Sequence, residues 1–169
     1  PMIAFKQPRN LKQTLIKTSL PTAISSRLNS EKGFFKCKKP NCVYCKFSTP
    51  AKSITSKNTN IKVKLYDRTD CETSNVIYRI LCNRCNMEYI GETSKQARER
   101  ISQHIGYIRN YKTDQPTGEH FNKHGHSLED FSWSILEKIK TSNQKYRKIR
   151  ERYFIDQFRT IDPGGLNKE

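Results

Sequence analysis

Tyr78 and Tyr89 stand eleven residues apart in VIYRILCNRCNMEYIGET (76–93), one in each of two short apolar runs parted by Cys82-x-x-Cys85. Further on, Arg100 and His104 are four residues apart within a helical pattern, a spacing that puts both on one face. Glu151 is the lone carboxylate in KIRER, among Lys148, Arg150 and Arg152. These residue types suit attack by water on a phosphodiester. An arginine can grip phosphate oxygens in a fork, a carboxylate can hold one divalent cation, and a phenol beside cations should ionise below its ordinary pKa of about 10. Each also has a plain reading: strand tyrosines as packing residues, Arg100 and His104 as a solvated face, Glu151 as a surface ion partner.

The cysteines offer a second chemistry. Cys37, Cys42, Cys45 and Cys71 make up one group, and Cys82 with Cys85 another. Thiolates this close can grip one tetrahedral ion from a single turn, as structural zinc requires. Cys82 and Cys85 need two partners, and EHFNKHGH supplies His120, His124 and His126; by spacing, His120 can pair with either of the other two. Six cysteines could instead form three disulfides, but the Cys-x-x-Cys turn and the basic composition favour metal.

Of 169 residues, 32 are basic and 16 acidic, a net charge of +16, and only 34% are hydrophobic. The asymmetry is sharper along the chain: residues 1–60 hold twelve Lys/Arg and one acid, residues 61–169 twenty against fifteen. A basic arm on a nearly balanced domain suits a polyanion, with nucleic acid the foremost candidate; the bland alternative is a solvated tail. No apolar run approaches the length of a membrane span. The opening Pro1 suggests a piece of a longer protein.

The elements that would position these groups are an α+β set. Two strands joined by the Cys-x-x-Cys turn lead into a helix capped by Ser94, whose Ala97, Ile101, Ile105 and Ile108 face inward. A histidine-bearing loop with Pro116 precedes a third strand, FSWSILEKI, and a final helix, QKYRKIRERYFIDQF, buries Ile149 and Tyr153 with Phe154 and Phe158. The order β-β-α-β-α predicts a small three-stranded antiparallel sheet flanked by helices. The expected division is a basic arm at 1–33, a Cys-rich zinc module at 34–75 and the compact domain at 76–169. Within the arm, LKQTLIKTSL could form two turns of helix, and STPAKSITSKNTN (48–60) reads as loop.

VIY (76–78), YIGET (89–93), RERISQH (98–104), RERYFI (150–155) and GLN (165–167), in this order, resemble the GIY-YIG nuclease family, with Val76 in place of its first glycine. The Cys-x-x-Cys between the tyrosine motifs, the block EHFNKHGHSLEDFSW and the upstream cysteines resemble more closely the endonuclease end of Penelope-like retroelements. The resemblance implies a DNA endonuclease with Tyr78 near the attacking water, Tyr89 supporting it, and Arg100 and His104 at the scissile phosphate. It implies Glu151 on Mg²⁺ or Mn²⁺ and Asn167 closing the site. It pairs His120 and His126 with Cys82 and Cys85 on zinc, beside the four-cysteine zinc group. With one carboxylate ligand visible, a single-metal mechanism fits. It further implies an upstream reverse transcriptase, element RNA as a partner, a nick that primes target-primed reverse transcription, and work in the nucleus. A zinc-dependent nucleic-acid-binding module that has lost cleavage is the competing expectation.

Overall fold

The computed structural model describes residues 31–168; the helix expected in LKQTLIKTSL lies outside them. The sheet is built on β5 (Val76–Cys82), flanked by β6 (Glu88–Thr93) and β7 (Phe131–Lys138), both antiparallel to it. Every residue of β5 is buried, which is why VIYRILC is a continuous run rather than an alternation: a central strand covered on both faces has no polar side to show. Its one charge, Arg79, is matched inside. The guanidinium donates to Glu88 at 2.9 Å and to the Thr55 carbonyl at 3.0 Å, and Glu88, fully buried, also accepts from the Ser56 hydroxyl at 2.8 Å.

The upstream segment is structured. β1 (Gly33–Phe34) pairs in parallel with β4 (Arg68–Thr69), α1 (Val43–Lys46) is a single turn, and β2 (Ser53–Thr55) with β3 (Lys62–Lys64) forms an antiparallel hairpin where the sequence read as loop. Short polar strands carry little periodicity; this pair puts only Ile54 and its partner Val63 on the core, while Ser56 and Lys57 of the connecting turn donate to the buried Glu88. Residues 32–169 form one compact unit, in which the segment before Val76 packs on the sheet. Phe34 stacks on Trp133 at 4.9 Å, the Trp133 indole N–H donates to the Tyr44 carbonyl, and Phe47 and Thr49 exchange backbone hydrogen bonds with Trp133. The cysteine segment thus occupies the outer edge of β7, an edge that would otherwise be open to pairing.

The helices follow the expected order with three differences. α2 (Ala97–Arg109) buries Ala97, Ile101, Ile105 and Ile108 as the periodicity predicts, together with His104. It does not start from Ser94: Gln96 is the N-cap and makes no side-chain cap, and the first-turn N–H groups of Ala97 and Arg98 donate instead to the carbonyls of Thr73 and Cys71 at 2.9 and 2.8 Å. The histidine loop contains α3 (Pro116–Phe121), whose proline opens the helix where a missing N–H costs nothing. In α4 (Gln144–Phe158), Ile149 and Tyr153 are exposed, and the buried line is Arg147, Phe154 and Phe158. Arg147 can be buried because Glu92, Asn75 and the Ser142 carbonyl accept its hydrogens. A hydropathy reading places the inward face one step around the helix, since it does not pick an arginine as a core residue. No helix among the described residues is long and apolar enough to cross a membrane.

Candidate active site

The pairing of β5 with β6 sets Tyr78 directly opposite Gly91, and Ile80 opposite Tyr89. The Tyr78 ring lies across the Gly91 backbone so closely that a methyl group at 91 would collide with it. This is the local reason for glycine in YIG: it leaves room for the phenol of the neighbouring strand. Val76, in place of a glycine, is a fully buried strand residue paired with Thr93 and Lys138.

From α2, Arg100 and His104 reach the same phenol. Arg100 Nε–H donates to Tyr78 Oη at 3.1 Å, and Tyr78 Oη lies 2.8 Å from His104 Nε2. Because Arg100 can only donate, the phenol proton points to His104 Nε2, and the imidazole carries its own hydrogen on Nδ1, 2.9 Å from Thr117 Oγ1. The opposite tautomer would leave a buried phenol proton without an acceptor, at a cost of about 1–3 kcal/mol. Tyr89 completes the cluster, its ring 5.3 Å from that of His104 and 6.4 Å from that of Tyr78.

Burial decides the protonation states. It pushes the Tyr78 phenol well above its ordinary value, reinforced by Tyr89 and only partly offset by Arg100. Burial likewise raises Tyr89. The expectation that cations would acidify these phenols therefore fails at rest: desolvation outweighs the one adjacent guanidinium. His104 is pushed down to about 3, first by burial and then by the Arg100 charge, so it is neutral and free to accept a proton.

His104 is 2% exposed and lies behind Tyr78 rather than at an open surface. Arg100 is half-buried and also donates to Gln103 Oε1 at 2.8 Å. Glu151 accepts the Glu92 backbone N–H at 3.0 Å and the Lys148 ammonium at 2.8 Å; Lys148 also lies 3.5 Å from the Glu92 carboxylate. The Lys148 ammonium thus lies between the Glu151 and Glu92 carboxylates. Asn167 is not drawn to this cluster by a hydrogen bond. Its side chain accepts from Ile90 N–H at 2.9 Å, donates to Ile90 C=O at 2.8 Å and accepts from Thr160 Oγ1, fixing β6 beside Tyr89. Thr117, Glu92 and Lys148 have no distinctive sequence signal. Thr117 falls in a stretch read as loop, and Pro116 as a helix opener is its only hint.

The two predicted metal-ligand groups assemble as sets: Cys37, Cys42, Cys45 and Cys71, and Cys82, Cys85, His120 and His126, each with its ligand atoms within 4.8 Å of one another. Sulfurs 3.5 Å apart in Cys37–Cys45 and 3.8 Å apart in Cys42–Cys71 match the edge of about 3.8 Å that four thiolates make around one tetrahedral zinc. Cys85 Sγ is 3.5 Å from His120 Nε2, and both ring nitrogens of His126 are buried with no hydrogen-bond partner, as a ligand awaiting its ion would be. All six cysteines are free thiols, so the disulfide reading does not hold. Of the two histidines that spacing offered beside His120, His126 lies in the set and His124 is exposed outside it.

No curated protein matches the chain. Among solved structures, the catalytic domain of the homing endonuclease I-TevI aligns with a TM-score of 0.48 and 23% identity, over 57% of this chain and 99% of that one. The model of the GIY-YIG catalytic domain matches residues 74–167, from just before β5 through Asn167. That span holds the tyrosine hairpin, both helices that bear on it and Glu151, and the chain belongs to the GIY-YIG nuclease family.

Proposed function

We propose that this protein is a metal-dependent DNA endonuclease, the endonuclease segment of a Penelope-like retroelement, that nicks target DNA in the nucleus. The nick would supply the primer for an upstream reverse transcriptase copying element RNA. The observation that carries the nuclease reading is the chain Arg100–Tyr78–His104, a phosphate-binding cation and a neutral base joined through one phenol. The retroelement reading rests on the order of the cysteine and histidine blocks around the tyrosine hairpin.

In this mechanism Arg100 receives a non-bridging oxygen of the scissile phosphate, and Glu151 is the carboxylate that holds Mg²⁺ or Mn²⁺. Such an ion would supply Lewis-acid charge against the negative charge that builds on the phosphate and on the leaving oxygen. Tyr78 need never become a free phenolate. As the attacking water gives a proton to Tyr78 Oη, Tyr78 passes its own to His104 Nε2, and His104 becomes an imidazolium still bonded through Nδ1–H. Burial first, and then the Arg100 charge, depress the basicity of His104 at rest; a phosphate anion paired with Arg100 offsets the second of these, so bound substrate makes His104 a better base. The two zinc sites are structural, one clamping the β5–β6 turn to α3 and the other bracing the segment before β5.

Nicking of supercoiled plasmid by zinc-loaded protein with Mg²⁺, compared with Tyr78→Phe, tests the reading. The expected result is nicked circles from the parent protein and DNA bound but uncut by the variant. A module that only binds nucleic acid would bind in both cases and cut in neither.

A further inference from the structure

Thr117 has no place in the mechanism so far, yet it is the third member of the buried chain behind the phenol. It is 1% exposed on α3, and its hydroxyl lies 2.9 Å from His104 Nδ1. Among the described residues the imidazole has two polar contacts, Tyr78 on one nitrogen and Thr117 on the other, with the rings of Tyr89 and Tyr107 in T-shaped contact with it. Which nitrogen can receive the phenol proton therefore depends on Thr117. With the Thr117 oxygen as acceptor, the hydrogen stays on Nδ1 and Nε2 presents its lone pair to Tyr78. With no acceptor there, Nδ1–H is left as an unpaired buried donor, which offsets the cost of orphaning the phenol proton, so the Nε2–H form that blocks the transfer gains population.

The position of Thr117 is fixed from two sides. Its helix is tied to α2 by Asn122, which donates to the Ile108 and Gly118 carbonyls, and Gly118 fits against the Lys112 backbone with no room for a side chain. Three residues on, His120 reaches Cys85 of the hairpin turn at 3.5 Å. The helix that completes the metal cluster is thus the one that carries the hydroxyl.

We propose that Thr117 is a positioning residue for cleavage: its hydroxyl holds His104 in the Nδ1–H tautomer, leaving Nε2 open to the Tyr78 proton. The proposal rests on the nuclease reading above, but its first test does not need cleavage. Nitrogen-15 NMR of histidine-labelled, zinc-loaded full chain reads the His104 tautomer directly, assigned by comparison with His104→Gln. The parent protein should show protonated Nδ1 and unprotonated Nε2, and Thr117→Val should move His104 toward the Nε2–H form. In single-turnover nicking, Thr117→Val should be about ten- to a hundred-fold slower with DNA affinity unchanged, and Thr117→Ser should return to within about three-fold of the parent. If Thr117→Val does not fold, Thr117→Ala takes its place in both measurements. A tautomer that stays Nδ1–H without the hydroxyl overturns the proposal, as does a Thr117→Ser variant as slow as Thr117→Val. If the tautomer shifts while no protein cuts DNA, the positioning role holds and the nuclease reading fails.

Discussion

Gly91 and His104 show how much a single side chain, or its absence, decides. Gly91→Ala places a methyl against the Tyr78 ring. Overpacking of that kind costs about 1–3 kcal/mol, and relieving it means moving the phenol away from Arg100 and His104. The variant should fold with a lowered melting temperature and cleave far more slowly; full cleavage would mean that the phenol's position is not critical. His104 is neutral when folded, with its pKa pushed down to about 3, against about 6.5 in the unfolded chain. Between those values the unfolded state binds one more proton, so stability is intact above pH 6.5 and is lost as pH falls toward 3, by up to about 1.4 kcal/mol per pH unit. Tyr78, Tyr89 and Arg100 around it are all pushed up and do not titrate in that window. His104→Gln should flatten the acid limb of stability in urea melts, and an unchanged limb would contradict the buried neutral assignment. At this scale the sequence was informative about identity and less so about state. Arg100 and His104 share a face as their spacing suggested and both reach Tyr78, but the direction of the phenol shift depends on burial from elements distant in sequence.

The elements explain why positions legible as motifs acquire their geometry. The two strands, the periodic helix and the third strand are readable because each buries a continuous or periodic apolar set. The β2–β3 hairpin and α3 are not, since the first rests on a single buried strand residue, Ile54, and on contacts with the Arg79–Glu88 pair, while packing on α2 with the cysteine–histidine cluster holds the second. Cys71 and Thr73 accept hydrogen bonds from the first turn of α2, which also carries Arg100 and His104. Through Cys71 the four-cysteine group therefore supports the active-site helix. Replacing Cys71 with Ser should speed amide exchange at Ala97 and Arg98 and slow cleavage, even though neither residue touches substrate. Unchanged exchange at those amides would restore the view of an independent upstream module. Cys82→Ser should be harsher, because its cluster joins the β5–β6 turn to α3 and metal binding there is folding free energy.

For the whole molecule, charge is the informative quantity. Residues 1–30 hold five Lys/Arg and no acid. If the chain neutralises about six phosphates, the logarithm of DNA affinity should fall against the logarithm of salt with a slope of roughly −5. Removing residues 1–30 should flatten that slope while leaving cleavage at saturating protein largely unchanged; an unaltered slope would make the arm a passive tether. Composition announced this feature without any fold. It could not announce that residues 32–169 pack as one unit, because Phe34 against Trp133 and Arg79 against Glu88 are contacts between segments that each read plausibly alone.

The central claim is that cleavage depends on the Glu151 carboxylate as a cation holder beside the Tyr78 chain. Glu151→Gln preserves size and can still accept the Glu92 N–H while removing the charge that draws Lys148 or a divalent ion. Single-turnover nicking of supercoiled plasmid at saturating protein in Mg²⁺, with affinity measured in parallel, should show a loss of two to three decades in rate, about 3–4 kcal/mol, with DNA binding equal or slightly tighter. Metal-dependent nicking by Glu151→Gln at the parent rate would contradict the account.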